Sequence, residues 1–159
     1  MIVAMTGHRP EKMKKYSREE ITDSIMSDFM HLDADYVIQG MASGIDLWSA
    51  HAAYQLGIPY ECAVPWQGHK PRKDDIAQYD LALKHATQVT YTNLSDNYLG
   101  PWLYQRRNEY MVDNADNVLA YWDGTSGGTM NCIIYAIRKK KPLWRANPND
   151  LAAPLEWLT

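Results

Sequence analysis

The chain has 159 residues, 46% of them hydrophobic and 22% charged, with a formal net charge of −3. That is enough chain to bury one sizeable core, and the slight acidity removes any bulk attraction to nucleic acid or an anionic membrane. No apolar run approaches the roughly 18 residues of a membrane span, and residues 1–5 are too short for a signal peptide, so a cytoplasmic single domain over 1–159 is expected.

Residues 2–5 (Ile-Val-Ala-Met) read as a first strand bounded by Thr6-Gly7. Ser17, with Glu20 three residues on, is a capping-box signature, and Ile21, Ile25, Phe29 and Leu32 mark the buried face of the helix it opens. Residues 36–38 predict a second strand ending at Gly40. Gly44 and Asp46 then open a helix through Leu47, Ala50, Ala53 and Tyr54, which Gly57 stops. Residues 60–64 predict a third strand closed by Pro65, and the polar residues 66–72 a loop. A helix over 73–85 follows, with Ile76, Tyr79, Leu83 and Ala86 inward. Residues 88–91 predict a fourth strand, 93–102 a loop, 103–114 a helix and 117–122 another strand. In the next helix Met130, Ile133, Ile134 and Ile137 recur at the spacing of one buried face. Residues 142–144 predict a last short strand, and 152–159 a final helical turn. Strands alternating with helices predict an α/β, Rossmann-like, three-layer fold, its sheet mainly parallel with helices on both faces.

In such folds ligands sit beyond the carboxyl ends of the strands, and three loops fall there. The first, Thr6-Gly7-His8-Arg9-Pro10, offers a hydroxyl, a guanidinium able to clamp phosphate or carboxylate in bidentate fashion, and an imidazole. The second, Gly40-Met41-Ala42-Ser43-Gly44-Ile45-Asp46, lets a ligand approach the backbone. There Asp46 either caps a helix or contacts a ligand's hydroxyls. The third, Asp123-Gly124-Thr125-Ser126-Gly127-Gly128-Thr129, is a glycine-rich strand-to-helix turn whose bare N–H groups suit an anion. Arg106 and Arg107 project about 100° apart on a helix, so at most one faces a site.

The five histidines never fall at the short spacings of a zinc motif, and no metal or cofactor is expected. Cys62 and Cys132 each sit in an apolar run, which favours buried free thiols over a disulfide. The G-x-G-x-x-G dinucleotide fingerprint is absent, which argues against a dehydrogenase. Six Trp and eleven Tyr against one Phe suit pocket walls and the interface of a homodimer, or simply a core built from them.

These loops, with Arg106-Arg107-Asn108 and Met111-Val112-Asp113, resemble the YpsA-like proteins of the SLOG superfamily, relatives of the Smf/DprA and Lonely-guy proteins. The motifs run in order from residue 6 to residue 129. The resemblance implies a Rossmann-like fold that binds nucleotides or nucleotide-derived ligands, and bacterial and phage members are common. Lonely-guy relatives are phosphoribohydrolases whose glycine motif is followed by a glutamate. Here Met130, Asn131 and Cys132 follow instead, so the carboxylate that glycosidic cleavage needs must come from elsewhere. Asp46, Asp113 and Asp123 are the candidates. The Smf/DprA branch binds single-stranded DNA, a use that the acidic balance disfavours.

The expectation is a sensor or sequestering module for a nucleotide or ADP-ribose-type small molecule. The alternative is an N-glycosidase, phosphoribohydrolase or deoxyribosyltransferase-like enzyme acting on nucleoside monophosphates. Thr6, Gly7, His8 and Arg9, with the Gly127-Gly128-Thr129 turn, would hold the phosphate, Ser126 adds a donor there, and Asp123 at the strand end is a further ligand-binding candidate. Ser43, Gly44 and Asp46 would contact ribose, Trp66, Tyr98 or Trp102 would flank the base, and Gly40, Arg107 and Asn108 are further ligand-binding candidates. A carboxylate facing the pocket separates the two readings.

Overall fold

A parallel sheet covered on two sides needs apolar residues on both faces of its strands, and the short strands of this chain are built that way. The computed structural model describes residues 1–159. One seven-stranded sheet contains β1 (Ile2–Gly7), β2 (Tyr36–Gln39), β3 (Tyr60–Val64), β4 (Gln88–Tyr91), β5 (Asn117–Tyr121), β6 (Leu143–Ala146) and β7 (Glu156–Trp157). The spatial order is β4-β3-β2-β1-β5-β6-β7, and only the β6–β7 pair is antiparallel. Strand order therefore reverses beside β1, which pairs with β2 on one side and β5 on the other.

Five helices cover the sheet: α1 (Arg18–His31), α2 (Ile45–Gln55), α3 (Ile76–His85), α4 (Trp102–Asp113) and α5 (Gly128–Arg138). Side-chain alternation along each strand separates two cores. Val3, Met5, Val37, Cys62, Leu119 and Tyr121 pack with Ile21, Ile25 and Phe29 of α1 and with Leu47, Ala50 and Ala53 of α2. Ala4, Ile38, Ala63, Val118 and Ala120 pack with Met111 and Val112 of α4 and with Cys132, Ile133 and Ala136 of α5. The Ser17–Glu20 capping box closes the start of α1 in both directions. Cys62 and Cys132 are buried free thiols on opposite faces, each pushed up to about 12 by burial.

Three local expectations need correction. The buried stripe of α5 is Thr129, Cys132, Ile133 and Ala136, leaving Ile134 and Ile137 exposed and Met130 half-buried. The strands beneath present Ala4 and Ala120, and small Cys132 and Ala136 let the helix lie close to them. In α3, Ile76 is exposed while Tyr79 and Ala82 are buried. The tail is a strand and not a helical turn. Its Trp157 opposes Trp144 with ring centroids 4.8 Å apart, and Glu156 pairs with Arg145 at 3.1 Å. That pairing depends on a partner more than ten residues away, which local pattern does not register.

At the upper end of the sheet, β1 and α2 meet with no room to spare. Gly44 has φ +89°, and a Cβ there would lie 2.5 Å from the His8 carbonyl oxygen. The neighbouring Ile45 N–H donates to the same oxygen at 3.3 Å. Gly44→Ala is therefore expected to cost about 1–3 kcal/mol, read as a lower urea midpoint. An unchanged midpoint would mean that the two loops do not depend on this contact.

Candidate functional site at the strand reversal

The reversal of strand order opens a crevice between the carboxyl ends of β1 and β5, the place where doubly wound sheets bind ligands. A cavity of about 440 Å³ lies there, walled by the loops after β1, β2 and β5 and by the first turns of α4 and α5. Six of the eleven buried polar residues line it: Thr6, His8, Asp46, Arg107, Asn108 and Thr129. Polar groups are rarely buried without a task, so this concentration marks the cavity out. A larger groove of about 780 Å³ lies between α1, α2 and α3, away from the strand ends, and receives none of the three loops.

The turn before α5 is held by side chains from three places. Asp123 Oδ1 accepts from the Thr125 N–H at 3.0 Å and from the Thr125 hydroxyl at 2.6 Å. The Trp122 indole N–H donates to the Thr125 carbonyl at 2.7 Å. From the 3-10 turn Pro10–Lys12, Lys12 Nζ donates to Thr125 Oγ1 at 2.8 Å and to the Ser126 carbonyl at 3.0 Å. Gly127 has φ +143° and precedes the helix, while a Cβ on Gly128 would meet nothing within 4 Å. The Gly128, Thr129 and Met130 N–H groups at the start of α5 have no acceptor, the first bonded one being that of Asn131, which donates to the Gly127 carbonyl at 3.0 Å.

His8, 5% exposed, ties the first loop to the third. Its Nε2 lies 2.7 Å from Asp123 Oδ1 and 3.0 Å from the Asp123 backbone nitrogen. The two contacts call for opposite states of the same nitrogen: a protonated Nε2 donates to Oδ1, and a bare Nε2 accepts from the Asp123 N–H. Burial pulls the His8 pKa below its ordinary value, against the opposing pull of Asp123. For Asp123, burial pushes the carboxyl up, but the Thr125 hydroxyl and N–H and the His8 ring outweigh it and hold it at about 2.

Beneath the cavity lies the buried Arg107. It donates to the Gly40 carbonyl, and its Nε and Nη2 each sit 3.3 Å from Asn108 Oδ1. Asn108 Nδ2 reaches the Gly128 carbonyl at 3.4 Å. Asp46 accepts from the Ala42 N–H at 3.2 Å. Burial raises its pKa, and Arg107 is the main opposing influence. Burial likewise lowers that of Arg107, with Asp46 opposing.

Of the residues named from sequence, Thr6, Gly7, His8, Arg9, Asp46, Arg107, Asn108, Gly127, Gly128 and Thr129 line the cavity. Gly40, Ser43, Gly44, Asp123 and Ser126 lie outside its lining. Gly40 is small because a Cβ would come within 2.7 Å of the Arg107 guanidinium. Asp113 sits at the far end of α4, bonded to the Tyr135 hydroxyl at 2.8 Å. Arg106 points outward, its guanidinium 5.1 Å from the Trp102 ring centroid.

Glu11, Lys12, Ala42, Pro101, Tyr104, Gln105 and Asn131 also line the cavity and were missed. Glu11 and Lys12 directly follow the first loop and were open to inference. Tyr104 and Gln105 carry no signal except their place one turn before Arg107. Trp66 packs beneath, 5.5 Å from Tyr104 and 5.2 Å from Tyr98, so Tyr104 is the aromatic residue at the cavity itself. No three His, Cys, Asp or Glu side chains gather to hold a metal ion.

The fold and the crevice define a Rossmann-like α/β protein with a polar cavity at its strand reversal. The chain belongs to the YspA SLOG family, whose sequence profile matches residues 3–145. A UPF0398 protein of Bacillus thuringiensis (strain Al Hakam) is 24% identical over 159 residues, spanning 87% of this chain and 83% of that one. The SPbeta prophage-derived protein YoqJ of Bacillus subtilis (strain 168) is 41% identical over 51 residues, only 31% of this chain and 30% of its own length. DNA processing protein A of Helicobacter pylori, described for its single-stranded DNA binding, shares the fold with TM-score 0.67 at 16% identity. The match covers 91% of this chain and 64% of that one. The molybdenum cofactor binding protein of Rippkaea orientalis shares it with TM-score 0.58 at 16% identity, over 92% and 76%.

Because Asp123 titrates lower folded than unfolded, its contribution to stability is complete above the unfolded value of 3.8 and is lost as pH falls towards about 2. Asp123→Asn should melt below the parent near neutral pH, and the difference should close between about pH 4 and pH 2. A pH-independent difference would show that ionisation of Asp123 contributes nothing to the turn.

Proposed function

We propose that the cavity binds a phosphorylated small molecule of nucleotide type, its phosphate resting on the first turn of α5. One observation carries the reading: two cations at the cavity have no acidic partner. Arg9 is exposed and makes no ion pair, its guanidinium only leaning 5.9 Å from the Tyr104 ring centroid. Lys12 bonds only to a hydroxyl and a carbonyl. The two carboxylates in the lining already face other cations, Glu11 paired with Arg72 and Asp46 opposed by Arg107, and Asp123 outside it is taken up by His8 and Thr125. Beside them point the free N–H groups and positive dipole end of an eleven-residue helix. Such a surplus suits a dianion more than a neutral ligand. Fold neighbours whose names record molybdenum cofactor or single-stranded DNA binding are consistent with a phosphate-bearing ligand.

The protein acts in this reading as a sensor or sequestering module. The enzyme alternative narrows to Asp46, the only one of the three candidate aspartates at the cavity wall. Its burial raises its pKa, as a general acid would require. Against this, it is tied to the Ala42 N–H and opposed by Arg107.

Incubation with nucleoside mono- and diphosphates, NAD and ADP-ribose, followed by thermal shift and chromatography, separates the two. A shift with the ligand recovered intact supports a binding module, whereas free base in the eluate establishes an N-glycosidase. Gly128→Val fills open space at a position without positive φ, so it should fold normally and lose at least about tenfold in affinity. Arg9→Ala should do likewise through loss of a charge-assisted contact. Unchanged affinity in either folded variant removes the phosphate from this turn.

A further inference from the structure

Gln105 Oε1 is the only buried side-chain N or O atom in the protein without a hydrogen-bond partner, and Gln105 lines the cavity. Native proteins rarely leave such an atom unmet, and an isolated case calls for an explanation. The amide orientation is set by its neighbour, because Nε2 donates to Glu109 Oε2 at 3.3 Å. A carboxylate only accepts, so the nitrogen must face Glu109 and the oxygen must face away. The oxygen is buried as it stands, so accepting from a ligand requires the side chain to rotate and present it to the cavity that Gln105 lines.

Two further residues complete this wall. Pro101 and Tyr104 lie on the same side, and the Tyr104 ring is braced by Arg107 at 5.8 Å and Arg9 at 5.9 Å. Behind it Trp66 and Tyr98 hold the ring in place, at 5.5 Å and 6.1 Å between centroids. The α4 wall therefore carries one aromatic ring and one residue whose amide oxygen is buried and unmet. The wall at α5 and β1 is cationic.

Resting on the phosphate reading above, we infer that Gln105 selects the ligand's base by accepting a hydrogen bond from an exocyclic amino group. The ligand class is a nucleotide with an amino-bearing base, its ring set against Tyr104 and its phosphate on α5. A base that offers no donor on that edge leaves the buried oxygen unmet, and this loss is what discriminates.

The test uses AMP and purine riboside 5′-monophosphate, which differ only by the amino group, with inorganic pyrophosphate as a phosphate-only probe. Calorimetric titration of the parent should favour AMP by about tenfold. In Gln105→Met that preference should vanish, with AMP falling to the level of the analogue and pyrophosphate unaffected. In Arg9→Ala both nucleotides should weaken together, the preference surviving. Gln105→Met removes the unmet acceptor and also the Nε2 bond to Glu109, so the base preference and not the urea midpoint decides. A preference absent from the parent, or retained in Gln105→Met, overturns the inference, while pyrophosphate binding leaves the phosphate reading standing. If pyrophosphate and both nucleotides fail to bind the parent, both readings fall.

Discussion

The buried Arg107 guanidinium is the contact on which the site depends. It reaches from α4 to the Gly40 carbonyl at the end of β2 and sits against Asn108, which in turn reaches the Gly128 carbonyl at the start of α5. Three elements that share no local sequence are thereby held at one height above the sheet. A guanidinium suits this place because its planar fork can serve several acceptors at once and its charge survives burial. Gly40 is glycine for the same reason: any side chain there would occupy the guanidinium's space.

Around that anchor the polar groups divide into those already satisfied and those left free. His8, Asp123, Thr125 and Lys12 form one continuous network that shapes the turn before α5. Asp123 therefore has a structural explanation in the network, quite apart from any chemistry. Asp46 is likewise occupied by a backbone N–H and faced by a buried cation. What is left over is Arg9, the third N–H of the Lys12 ammonium, the α5 N–H groups and one amide oxygen. A ligand complementary to that remainder is anionic at one end and a planar hydrogen-bond donor at the other.

Several loops were legible because their chemistry is local. Gly127 and Gly128 declare a turn by their lack of side chains, and Ser17 with Glu20 declares a helix start within four residues. Arg9 and Arg107 were legible as site residues, although only the fold separates their tasks. Arg107 is buried and braces loops, while Arg9 stands in solvent and is free to bind. Tyr104 and Gln105 were not legible, since nothing in a helical Trp-Leu-Tyr-Gln run says which residues face a cavity formed mostly by other segments. The same limit explains α5. Hydrophobicity alone ranks Ile134 and Ile137 above Cys132 and Ala136, but the face turned to the sheet is Thr129, Cys132, Ile133 and Ala136, where the small pair lets the helix lie close to Ala4 and Ala120.

By itself the sequence determined the alternation of strands and helices, the positions of the loops at strand ends and the glycine-rich turn, because each rests on periodicity or on backbone freedom within a few residues. Only the tertiary structure decided which side chains meet. The order β4-β3-β2-β1-β5-β6-β7 places residues 6–12, 40–46, 101–108 and 123–131 around one crevice. That convergence is set by the long-range pairing of β1 with both β2 and β5, and such pairings are fixed by complementary packing across the sheet and not by any local signal.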